Sequence, residues 1–261
     1  MTRAPATPRA AYQRGRNHPA PNSVRGAMAS LAAAQKPAAR SAPAYSRFVN
    51  RRIGRVLAAV CYRLGLSPNA VTAVSAVFTF SAIALLVIFP PSWVLGVGVA
   101  FGLLLGYAFD SADGQVARLT GESSLAGEWL DHVVDATKAS TLPLALAVGF
   151  YRFDVVPVPW LLVPIVGAIT SAVLFFAMIL TEQLRKQRPP VQPAEGQQGA
   201  RGWIRSIAVA PMDYGVLCLS FVLLGALPVF LVVYSGIVLA TAIFLVLAAA
   251  KWFTELAGDT Q

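Results

Sequence analysis

Charge is scarce in this chain. Only 13% of its 261 residues are Asp, Glu, Lys or Arg, against 56% hydrophobic, which excludes an ordinary soluble globular domain and leaves a membrane protein. Cysteine is nearly absent. Cys61 and Cys218 stand apart in apolar surroundings without CxxC spacing, so they read as inert small hydrophobes and supply neither a disulfide framework nor a thiolate metal site. Acidic residues are missing altogether from positions 1–69, which carry twelve Lys and Arg. No apolar core of a secretory signal occurs in residues 1–45, which are rich in Ala, Pro, Arg and Ser. An organellar transit peptide would share that composition, but a disordered basic tail over 1–45 needs fewer assumptions. Such an arm suits anionic membrane lipids, at about 1 kcal/mol per basic side chain near the surface. The aromatic platforms and basic folded face of a nucleic-acid binder are not visible, so no nucleic-acid partner is expected.

What remains is apolar and periodic. From Ser46 to Leu66, Phe48, Val49, Ile53, Val56, Leu57, Val60 and Leu64 recur at three- and four-residue steps with arginines between them, which predicts an amphipathic helix in the membrane interface. Ser67-Pro68-Asn69 breaks it. Six apolar spans are then expected near 70–89, 92–110, 131–151, 157–181, 207–224 and 229–250, each long enough to cross a hydrocarbon core of about 30 Å. The fold class is therefore all-α: a polytopic bundle of six transmembrane helices behind an interfacial helix, with residues 46–261 as one membrane domain. Pro143 and Pro164 are tolerable kinks within spans. With the N-terminus inside, nineteen Lys and Arg fall on one side and Arg152 alone on the other, which puts both termini and the 110–131 connection in the cytoplasm.

Four aspartates fall in one 26-residue window. Asp110 and Asp113 lie at the end of the second span, one turn apart. Asp131 and Asp135 open the third at i and i+4 and share a face. Carboxylates gathered at the ends of apolar helices repel unless a cation sits among them. Oxygen ligands favour a hard ion, Mg²⁺ or Mn²⁺, and four carboxylates suffice for two. Gly114 permits close approach of a ligand, Gly127 leaves room beside Asp131, Ala117 keeps a helix surface small, and Arg118 offers a fork for phosphate oxygens. His132 is expected to pack rather than to ligate, since it points about 100° from Asp131. Lys138 needs a partner inside an apolar span, either Asp135 or an acceptor substrate. Asp213 reads as a helix start.

The spacing D-x2-D-G-x2-A-R-x8-G-x3-D-x3-D, complete here from Asp110 to Asp135, resembles the signature of the CDP-alcohol phosphotransferase family. Ser67-Pro68-Asn69-Ala70-Val71-Thr72 is similar to the segment that opens that family's first span. The resemblance covers about residues 46–250. It implies a CDP-linked lipid donor, a polar alcohol acceptor and release of CMP. Asp110, Asp113 and Asp131 would hold the metals, with Asp135 joining them or acting as general base. Asn69, Thr72, Gly114, Arg118 and Ser124 would contact the CDP moiety. Arg185 and Arg188, in the basic 182–206 loop, are candidate acceptor contacts beside Lys138. CDP-diacylglycerol and a phosphorylated alcohol fit that loop. A homodimer in the plasma membrane is the expected assembly. A membrane prenyltransferase would place its two acidic motifs on distant loops, and an ion carrier would place acids near mid-membrane within internal repeats. Neither pattern is present.

Overall fold

Serine caps set the starts of three of the long helices. A computed structural model of the protein describes residues 45–187 and 213–258, together with Gly26, Met28 and Leu31. Ser67 accepts from the Ala70 N–H, and Pro68 follows as the first residue of helix α2, Pro68–Ile88. Ser92 caps α3, Trp93–Thr120, through the Leu95 N–H. Ser124 caps α4, Leu125–Arg152, through the Gly127 N–H. Before them lies the interfacial helix α1, Arg51–Arg63, entered through a π-helical turn Ser46–Asn50. After them come α5, Leu162–Lys186, entered through a 3-10 turn; α6, Tyr214–Ser220; and α7, Leu227–Ala257.

Among the described residues, five helices are long and apolar enough to cross a membrane: α2, α3, α4, α5 with its entering turn, and α7. The sixth expected span, 207–224, is described only from Asp213. Its described part is α6 with the 3-10 turn Phe221–Gly225, twelve residues that rise about 18 Å and fall short of the hydrocarbon thickness. Cys218, Phe221 and Leu224 bury this segment inside the bundle. The all-α membrane bundle is as expected, and the protein is a multi-pass membrane protein.

Two boundaries differ from the periodicity in a way that matters. Helix α3 continues ten residues past Asp110, because Ala112, Gln115, Ala117 and Leu119 sustain it until Gly121, at φ 70, turns the chain. Helix α4 begins six residues before Asp131. The expected 110–131 connection is thus mostly helix, with four linking residues.

Small residues bring the helices close. A Cβ on Gly106 would overlap Thr79 of α2, and one on Gly149 would overlap the Leu86 carbonyl. Ser75 donates to the Gly106 carbonyl at 2.8 Å across the same contact. The main core runs through Leu86, Val99, Leu103, Leu146, Phe150, Phe221 and Phe230. Helix α1 turns Gly54, Ala58 and Cys61 toward α3 and leaves Ile53, Val56 and Val60 outward, as an interfacial helix should, and Phe48 of the preceding turn is exposed too. Asn50 donates to the Tyr107 carbonyl at 3.1 Å. The tail expected over 1–45 lies outside the described residues apart from four. Of these, Leu31 is helical and buried in the cluster of Ala58, Cys61, Val71, Ala112 and Val116.

Candidate active site at the ends of helices α3 and α4

The site is built on helix surfaces, which fixes its side chains more firmly than a loop would. Asp113 leaves α3 toward α2, where the Thr72 hydroxyl lies 2.6 Å from its Oδ2. Thr72 and Asp113 are both buried. The other carboxylate oxygen, Oδ1, accepts from the Gly114 N–H at 2.5 Å. A hydroxyl and a backbone N–H thus aim this aspartate before any ligand arrives.

Asp110 sits one turn earlier on α3 and faces α4. Lys138 reaches it across the helix pair: Nζ lies 2.6 Å from Asp110 Oδ1 and 2.5 Å from Asp135 Oδ1. The lysine is 5% exposed. An ammonium so placed is tolerable within an apolar bundle only with partners, and here it has two carboxylates. Sequence spacing anticipates the i, i+3 pairing with Asp135. The partner 28 positions away becomes visible only when α3 and α4 pack.

On α4, one ligand atom each from Asp131, His132 and Asp135 lies within 4.8 Å of the other two, a group that could hold a metal ion. His132 also packs edge-on against Phe175 at 6.3 Å between ring centroids, and its Nε2 is 3.9 Å from Glu128 Oε1. The packing role expected of His132 is present, and the proximity to Asp131 and Asp135 is an addition to it. These donors fit a hard divalent cation, since carboxylate oxygens dominate the cluster.

A cavity of about 260 Å³ opens beside these groups. Asp113, Gly114 and Arg118 line it from α3, Asn69 and Thr72 from α2, and Ser124 and Asp131 from the start of α4. Gly127 lines it too; a Cβ there would press on Asn69 Oδ1 and Ser124 Oγ at about 3.1 and 3.2 Å. Gly114 keeps its side open, for a Cβ would meet only Arg118, at 3.8 Å. All five residues expected to contact CDP therefore share one cavity with two of the aspartates. Asp110, Asp135 and Lys138 are not among its lining residues and form a second group on the same two helices.

The acceptor candidates in the basic loop fare differently. Arg185 does not line the cavity; its Nη2 lies 2.7 Å from Glu255 Oε2 at the end of α7. Arg188 lies outside the described residues. Glu122, Ser123 and Glu128 line the cavity without having been singled out. Glu128 stands three residues before Asp131, so helical spacing was an available signal for it. Its partner Lys186, at 3.3 Å, is 58 positions away and carried none.

Residues 65–248 match the family model for CDP-alcohol phosphatidyltransferase. The chain belongs to that family. Two curated relatives match shorter stretches. A CDP-diacylglycerol–serine O-phosphatidyltransferase of Saccharomyces cerevisiae is 47% identical over 58 residues, which is 21% of each chain. An uncharacterized CDP-alcohol phosphatidyltransferase class-I family protein of Schizosaccharomyces pombe is 35% identical over 85 residues, 30% of this chain and 22% of that one. The chain thus aligns with about a fifth of the length of these relatives. Family membership accounts for the aspartate signature and for the glycines and Arg118 within it.

Proposed function

We propose that this family member transfers a phosphatidyl group from CDP-diacylglycerol to the hydroxyl of a polar alcohol, releasing CMP, as a step of phospholipid synthesis. The supporting observation is the convergence of Asp113, Asp131, Gly114 and Arg118 with Asn69 and Thr72 on one cavity at the ends of apolar helices. A nucleotide diphosphate needs that combination: a small-residue floor, a guanidinium, and carboxylates that can carry a hard cation.

In this reading Asp110, Asp113 and Asp131 hold Mg²⁺ or Mn²⁺, two ions in the working complex, with Asp135 at the edge of the set. The metal, when bound, neutralises charge on the phosphoryl oxygens. Arg118 orients the diphosphate, and Thr72 keeps Asp113 aimed. The acceptor oxygen attacks the phosphorus distal to cytidine, and the bond from that phosphorus to the CMP oxygen breaks, with CMP taking the electron pair. Asp135 takes the acceptor proton; Lys138 holds its carboxylate in place. The charge asymmetry of the loops supports a cytoplasmic site in a plasma-membrane enzyme. A homodimer and contact of the basic arm with anionic lipids belong to the same reading.

The test is CMP release and lipid product identification with purified protein, CDP-diacylglycerol, Mg²⁺ or Mn²⁺, and a panel of alcohols. Glycerol phosphate, inositol phosphate and serine are the informative members, the last because of the yeast relative's name. Asp135→Asn is expected to lower turnover by at least about a hundredfold, the usual scale for a general base. Turnover at the wild-type level would remove Asp135 from that role.

A further inference from the structure

The cavity explains Asp113, Asp131 and Arg118, but not why a buried lysine lies between the other two aspartates. Lys138 Nζ contacts Asp110 Oδ1 and Asp135 Oδ1 at once, from inside the bundle, with its side chain 7% exposed. We propose that Lys138 takes the place of one cation in the free enzyme, so that the resting site binds a single divalent ion and accepts a second only with the nucleotide. This rests on the metal-dependent reading above and deepens it.

Three observations carry it. First, position: the ammonium bridges α3 and α4 between two of the four carboxylates expected to ligate, as a bound ion would. Second, charge: four carboxylates with Lys138 and Arg118 leave two negative charges, which one divalent ion cancels. A second ion would meet surroundings already neutral and would leave the site with two excess positive charges until a diphosphate brings further negative charge. Third, the remaining donors are already grouped. Asp113 is aimed by Thr72 and Gly114 into the cavity that Asp131 also lines, so one ion has a prepared place there without disturbing Lys138. Lys138 is accordingly a positioning residue: it keeps Asp110 and Asp135 converged in the absence of metal and acts on the reaction through them.

The experiment counts Mn²⁺ bound to purified full-length protein in detergent by electron paramagnetic resonance, with and without CDP, for the wild type, Lys138→Arg and Lys138→Met. The wild type and Lys138→Arg are expected to bind one ion alone and two with CDP. Lys138→Met is expected to bind two ions alone, the second at least about tenfold tighter than in the wild type. Its thermal stability should fall without metal and recover with Mn²⁺, whereas the wild type should shift less. Two ions on the wild type without CDP would overturn the proposal, even if Lys138→Met failed to fold. Equal ion counts in all three proteins would overturn it as well. If no protein bound Mn²⁺ at all, with or without CDP, the metal-dependent phosphotransfer reading itself would fall.

Discussion

Thr72 shows how a single side chain connects the family signature to the segment before it. Its hydroxyl has no reason from helical periodicity to matter, since α2 is apolar on most sides. Packed against α3, it lies 2.6 Å from Asp113 Oδ2 and 3.2 Å from the Pro68 carbonyl, in a buried position. Thr72→Val keeps the shape and removes the hydrogen bond to the carboxylate. The expected outcome is a fall of about tenfold in kcat/KM for CMP release, corresponding to ~1–2 kcal/mol, with the thermal midpoint little changed. The cysteines stand at the opposite extreme. Cys61 and Cys218 are both buried, and burial pushes the Cys61 thiol up from its ordinary range. Neither lines the cavity.

Among the elements, α6 and the turn into α1 depend on one another through Asp213. Its Oδ1 accepts from the Gly215 N–H at 3.1 Å, capping α6. Its Oδ2 accepts from the N–H groups of Tyr45 and Ser46, at 2.7 and 3.3 Å, where the interfacial segment begins. One carboxylate thus serves two helix starts that are 168 positions apart, and it is almost wholly buried. Asp213→Ala leaves these donors unpartnered and is expected to destabilise the protein by about 3 kcal/mol, read as a lower thermal midpoint in detergent. The role of helix start was legible from Pro211 and Asp213 alone. The grip on Tyr45 was not, because nothing local in either segment refers to the other.

For the whole molecule, the distribution of charge makes an orientation claim that a labelling experiment can check. The wild-type protein should not react with a membrane-impermeant maleimide, since both thiols are buried. Tyr151→Cys, at the exposed end of α4 beside Arg152, is expected to label from outside intact cells. Glu122→Cys, in the four-residue link at the cavity, is expected to label only after the cytoplasmic side is opened. The reverse pattern would invert the bundle and put the site on the other face. The same ends of the helices carry the ion pairs Arg185–Glu255 and Lys186–Glu128, which join α5 to α7 and to α4. They are largely exposed, so their contribution to stability is small.

Composition and pattern alone determined the membrane class, the all-α architecture, the interfacial helix and the aspartate window, because hydrophobic period and motif spacing are local properties of the chain. The family resemblance pointed to Asn69, Thr72, Gly114, Arg118 and Ser124, which line the cavity with Asp113 and Asp131, but not to Glu122, Ser123 or Glu128. Helix ends were less legible: Asp110 reads as the close of a span, yet α3 runs on to Thr120, since residues that suit a cytoplasmic loop also suit a helix. The span near 207–224 is described only from Asp213 on, where Cys218, Phe221 and Leu224 are buried in protein, and apolar residues buried in protein look the same in sequence as apolar residues facing lipid. Only tertiary structure decided that Lys138 joins Asp110 to Asp135, that Thr72 aims Asp113, and that Arg185 turns to Glu255. Each of those contacts forms when two helices pack, and the geometry of packing is written across the chain rather than at any one place in it.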